Sequence, residues 1–116
     1  MRSKKRSPCP IAGVLDILGD RWTLLVVRDL FCGKSQYKDF AASPEKIATN
    51  ILADRLQRLV KHGLVERYAP PQSLAGRDAY RLTKKGESLL PVVESMKEWG
   101  LKHIPGTEAR MKQVVK

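Results

Sequence analysis

The stretch from Ala48 to Gly63 constrains the fold more than any other part of this chain. Ala48, Leu52, Leu56, Leu59, Val60 and Gly63 fall along one stripe of a helix, the spacing that lines a single face when 3.6 residues make a turn. Gly63 supplies the C-terminal stop. The opposite face carries Asn50, Asp54, Gln57 and Lys61, all able to hydrogen-bond. Such a helix must lie on a core with its polar side outward. Two short β-type runs follow at once, Val65 to Tyr68 and Ala79 to Leu82, and the residues between them hold too many turn formers to be a strand. A hairpin with a long loop carrying Arg77 results.

Ahead of this unit, Ile11, Val14, Leu15 and Leu18 follow the i, i+3, i+4, i+7 rule of an amphipathic helix, entered through Pro8 and Pro10 and closed by Gly19. Asp20 is placed to cap a second helix, Trp22 to about Phe31, which is apolar nearly all round and belongs in the middle of the core. A short third helix, Gln36 to Ala42, sets Tyr37 and Phe40 on one side and ends before Ser43-Pro44. After the hairpin, Thr83 caps one long helix with Leu89, Val92, Val93, Met96 and Trp99 on an apolar face and Pro91 bending it. The fold class is therefore mainly α with a small β-hairpin. With 116 residues, 42% of them apolar, the chain suits one domain and one core. We place that domain at residues 8–104, between basic tails at 1–7 and 105–116.

The net charge of +10 argues for a polyanionic partner or an anionic surface. Its distribution narrows this: residues 8–45 sum to −1, residues 46–85 to +6 and residues 86–101 to −2, the tails supplying the rest. The selectively basic segment is the one holding the polar-faced helix and the hairpin. No apolar run approaches the ~20 residues that span a bilayer, and no signal-peptide pattern follows the charged N-terminus. A cytoplasmic protein that does not enter membranes is expected. Two cysteines and two histidines without metal-ligand spacing predict no zinc site. Gly33-Lys34-Ser35 imitates the end of a phosphate-binding loop, but a helix precedes it and Arg28 stands at the leading glycine position. No catalytic role and no cofactor are expected.

The order helix, helix, short helix, polar-faced helix, hairpin, helix is that of a winged helix-turn-helix. In that arrangement the fourth helix enters the major groove of double-stranded DNA and the hairpin loop reaches the adjacent backbone or minor groove. Cys9-Pro10, Gly19-x-x-Trp22, Ile47-Ala48-x-x-x-Leu52-x-x-x-Leu56-x-x-Leu59, Gly63-Leu64-Val65-x-Arg67, Tyr80-x-Leu82-Thr83-x-x-Gly86 and Trp99-Gly100 resemble the HxlR-type bacterial transcription regulators, a group related to MarR. The resemblance spans about residues 8–100. It implies a DNA-binding homodimer that regulates transcription, repression being the expected direction, with a two-fold axis built from the first and last helices. Two positions depart from the family pattern: Ala48 stands where a serine N-cap is usual, leaving Thr49 to cap, and Ala79 stands where an acidic residue is common.

Thr49, Asn50, Ala53 and Asp54 sit in the first turns of the presumed reading helix, with Gln57 a turn further on. Asn50 is the foremost base reader, because an asparagine pairs bidentately with adenine. Asp54 either accepts from cytosine or restrains a neighbouring arginine. Arg55 and Arg58 are candidates for phosphate contact, Arg77 for the minor groove, and Lys34, Lys38 and Lys46 for the backbone. The dimer interface is assigned to Ile11, Val14, Leu15, Val92, Met96 and Trp99. Cys9, near a helix N-terminus and close to Arg6, is a candidate thiol for an oxidant or electrophile effector; the resemblance implies the same, and a buried packing role beside the dimer partner is the alternative. A small-molecule effector is also open. The competing function is non-specific nucleic-acid binding, RNA or architectural, through the basic tails.

Overall fold

A computed structural model describes residues 6–69 and 78–109. Six helices and a hairpin follow in the order α1 (Pro10–Leu18), α2 (Thr23–Phe31), α3 (Tyr37–Ala41), α4 (Thr49–Lys61), β1 (Val65–Tyr68), β2 (Ala79–Leu82), α5 (Lys84–Glu87) and α6 (Leu90–His103). The fold is mainly helical with one antiparallel pair, in register Val65 opposite Leu82 and Tyr68 opposite Ala79.

The core is built around α2, as a nearly all-apolar helix requires. Val26, Val27, Leu30 and Phe31 from α2 meet Phe40 from α3, Leu52, Leu56 and Leu59 from α4, and Leu64, Val65, Tyr80 and Leu82 from the hairpin. Leu52, Leu56 and Leu59 are the buried stripe of α4, whereas Val60 lies at its exposed margin and Ala48 is exposed. The stripe is thus narrower than the sequence suggests. Ala79 is fully buried, so the hairpin accepts a small apolar residue there without a gap in its pairing.

Two glycines are required by backbone chemistry. Gly63 ends α4 in the left-handed region at φ 75°, where a side chain would be strained. Gly86 packs so closely on the Leu64 carbonyl that a Cβ would lie 2.0 Å from its oxygen. That approach is fixed by Thr83, whose N–H donates to Leu64 O at 3.0 Å, whose hydroxyl donates to Gly63 O at 2.6 Å and then accepts from the Gly86 N–H at 3.1 Å.

Helix boundaries differ from the sequence expectation at the C-terminal helix, α4 and α2, and α3 is shorter by one residue at each end, Tyr37–Ala41. The long C-terminal helix is two helices: Thr83 caps only the short α5, and α6 begins at Leu90 with Pro91 in its first turn. Proline has no N–H to give to residue 87 and is tolerated where a helix starts, so it marks a fresh start and not a bend. The helix α4 starts at Thr49 with Ala48 as its N-cap and no side-chain cap bond, so Thr49 does not cap it. The helix α2 starts one residue late, at Thr23, yet Asp20 still serves its end by accepting from the Trp22 and Thr23 N–H groups at 3.1 and 3.2 Å.

Most of the surface of α1 and α6 is not used by this core. Leu18 is the one fully buried residue of α1 and α6 has none, while Ile11, Leu15, Met96 and Trp99 are each more than half exposed. No helix among the described residues is long and apolar enough to cross a membrane.

Candidate nucleic-acid interface

The polar face of α4 stands clear of the core. Thr49, Asn50, Asp54, Gln57 and Lys61 are exposed and Ala53 is half-buried, a direct result of burying Leu52, Leu56 and Leu59 on the other side. Asn50, Asp54 and Gln57 recur at the i, i+4, i+7 spacing that aligns side chains along one helix face. Lys38 on α3 and Lys46 in the turn before α4 are exposed too, Lys46 with a left-handed φ of 57°. Arg77 lies outside the described residues.

The turn that delivers α4 is tied to the core helix by a buried carboxylate. Asp29, nearly inaccessible, accepts from the Ser43 hydroxyl at 2.6 Å and from Arg28 Nε and Nη2 at 3.0 and 2.9 Å. Arg28 in turn donates twice to Glu45 at 2.8 Å, a bidentate pair that keeps the Glu45 carboxyl below the usual range. Lys34 Nζ donates to Ser43 at 2.6 Å. Lys34 therefore points into the scaffold of the turn, and its expected phosphate contact competes with that bond.

Two carboxylates hold the α4 arginines. Arg55 Nε donates to Asp20 at 2.8 Å and Arg55 Nη1 to Asp54 at 2.5 Å. Arg58 Nη1 lies 3.5 Å from Asp20 and its Nη2 lies 3.9 Å from Asp54. Asp20 also accepts from the Thr23 hydroxyl. Partial burial alone would raise the Asp20 pKa, but the bonds from Thr23, Arg55 and the Trp22 N–H, with the charge of Arg55, carry it well below the usual carboxylate range. Sequence reasoning found Asp20 as a cap and missed it as the tie between α2 and α4, because its partners lie 35 and 38 positions away and no local pattern signals them.

Cys9 is exposed at the N-cap of α1, so the packing alternative finds no burial within the single chain. The cation expected beside it is engaged elsewhere: Arg6 Nε donates to Asp16 at 2.6 Å and Arg6 Nη2 to the Ala12 carbonyl at 3.3 Å. Cys32, half-buried, has its thiol pKa pushed up by burial and by Asp29. No cluster of three or more potential metal ligands occurs among the described residues. An open cleft of about 600 Å³ between α2 and α6 is walled by Leu24, Phe31, Leu90 and Val93, with Arg28 and Glu45 among its polar residues.

Residues 17–108 match the family model described as HxlR-like helix-turn-helix. The chain is 33% identical over 95 residues, 82% of its length and 73% of the other, to YdeP of Bacillus subtilis, described as an uncharacterised HTH-type transcriptional regulator. Among solved structures, PA1607, named only as a candidate transcription factor, superposes with a TM-score of 0.80 at 36% identity, covering 90% of this chain and 73% of that one. The redox regulator HypR in its oxidised form superposes with a TM-score of 0.74 at 28% identity over 87% of this chain and 100% of that one.

Proposed function

Because this chain belongs to the HxlR-like helix-turn-helix family of transcriptional regulators, we propose that it acts as a homodimer that reads a palindromic DNA operator through α4 and represses transcription there. The observation that carries this reading is the exposed pair Asn50 and Gln57 on a helix whose other side is locked into the core. Asn50 and Gln57 face base edges; Thr49 and Ala53 lie against the groove wall; Lys38 and Lys46 serve phosphates, with Arg77 joining them. A two-fold dimer sets the two reading helices about 34 Å apart, one turn of B-form DNA. The apolar faces of α1 (Ile11, Val14, Leu15) and α6 (Val92, Met96, Trp99) form the dimer seam, and occupancy of promoter DNA excludes polymerase.

The test is fluorescence anisotropy at ~150 mM salt against the duplex enriched from a random pool by this protein and against a scrambled duplex of equal composition. The reading predicts a preference on the order of a thousandfold or more. Equal affinity for the two would replace it with non-specific nucleic-acid binding.

A thiol switch at Cys9 is the second part of the reading, favoured by its exposure at the start of a seam helix and by the likeness to a redox regulator. Oxidation or alkylation there would reorient α1 and change the half-site spacing. Diamide is expected to weaken operator binding by the wild type and leave Cys9→Ser unaffected; equal loss in both would remove Cys9 from the account. A small-molecule effector would take the cleft between α2 and α6.

A further inference from the structure

On random DNA an arginine on a reading helix is a liability, because any phosphate attracts it whatever the sequence. In this structure neither α4 arginine is at liberty to answer. Arg55 is held by Asp20 on one side and Asp54 on the other, and its side chain is only 20% exposed. Arg58 stands 3.5 Å from Asp20 and 3.9 Å from Asp54, further out and less tightly held. Two cations thus face two carboxylates. Asp54 is the outermost of the four at 58% exposure, on the same helix face as Asn50 and Gln57.

We propose, resting on the DNA-binding reading above, that Asp54 is a specificity-determining positioning residue. Together with Asp20 it withholds Arg55 and Arg58 from phosphates, so that docking on non-cognate DNA is weakened more than docking on the operator. The physical chain is short. A loosely docked, sequence-independent complex draws its free energy from phosphate neutralisation, and each cation withheld removes one phosphate from that count. A cognate complex is seated by base-edge contacts of Asn50 and Gln57 and depends less on the same cations. Asp54 also brings its own negative charge toward the DNA, which penalises the approach of any backbone that offers no compensating base contact.

Asp54→Asn removes the charge, keeps the side-chain size and lies at an exposed position, so the fold should be retained. The experiment measures anisotropy titrations of wild type, Asp54→Asn and Asp54→Glu from about 50 to 300 mM salt, on the enriched duplex and on the scrambled one. For Asp54→Asn, scrambled DNA should be bound about three- to tenfold more tightly at ~150 mM salt, with the slope of log K against log salt steeper by about one. Affinity for the enriched duplex should change by less than about threefold. Asp54→Glu, which keeps the carboxylate within reach of Arg58, should retain the wild-type slope. An unchanged slope for Asp54→Asn overturns the inference, as does equal tightening on both duplexes. Loss of binding confined to the enriched duplex would make Asp54 a base reader and overturn it as well. Those three results leave the regulator reading standing, whereas a wild type that binds neither duplex sinks both.

Discussion

Asp20, in the turn after α1, joins the start of α2 and the middle of α4 through one carboxylate. It replaces the missing cap at the α2 N-terminus and receives Arg55 from the reading helix. Hydrogen bonds and charge outweigh its partial burial and depress its pKa. A depressed native value means stability that is full above the ordinary aspartate range near 4 and is lost progressively as pH falls from there through the lower native value. Asp20→Asn is therefore expected to cost about 1–2 kcal/mol at neutral pH, a gap to wild type that narrows in strongly acid solution. Urea denaturation at pH 7 and pH 3 checks the sign; a gap that widens toward pH 3 would show that Asp20 is not the paired carboxylate described here. Half of this was legible in the chain, since Asp20 two residues before Trp22 reads as a cap. The bond to Arg55 was not, because nothing local to either residue reports a contact 35 positions away.

At the scale of elements, the periodic signals survived, and the punctuation held at Gly19 and Gly63 but not at Pro91. The stripe Leu52, Leu56, Leu59 gave α4 almost at its observed limits, since burial of one face enforces the helical period, and the two short β-type runs gave the hairpin at its observed limits. The C-terminal helix was read as one because its apolar spacing continues across Leu89, yet Pro91 lacks the N–H needed to run on from α5. The latch that joins α5 to the hairpin is made of Thr83 and Gly86 against Gly63 and Leu64. With a Cβ forced to 2.0 Å from the Leu64 oxygen, Gly86→Ala should lose about 1–3 kcal/mol as the two segments are pushed apart. Thermal unfolding followed by circular dichroism measures this. A variant as stable as wild type would mean the latch yields freely.

For the whole molecule, the described chain leaves the apolar faces of α1 and α6 exposed, and the proposed dimer would cover them. Trp99 is 62% exposed and Ile11 70%, and among the described residues the Trp99 ring meets His103, ring centres 4.6 Å apart. A second copy covering α1 and α6 would satisfy both helices and set two copies of α4 in one line along DNA. Trp99→Lys should then weaken self-association by at least about thirtyfold without unfolding the chain, which sedimentation equilibrium would detect as monomer; an unaltered dimer would place the seam elsewhere. If α4 reads sequence, Asn50→Ala must show it in anisotropy titrations on the enriched and scrambled duplexes at one salt concentration. The account predicts a loss of about ten- to a hundredfold on the enriched duplex and little change on the scrambled one. Equal affinities of variant and wild type for the enriched duplex would contradict it.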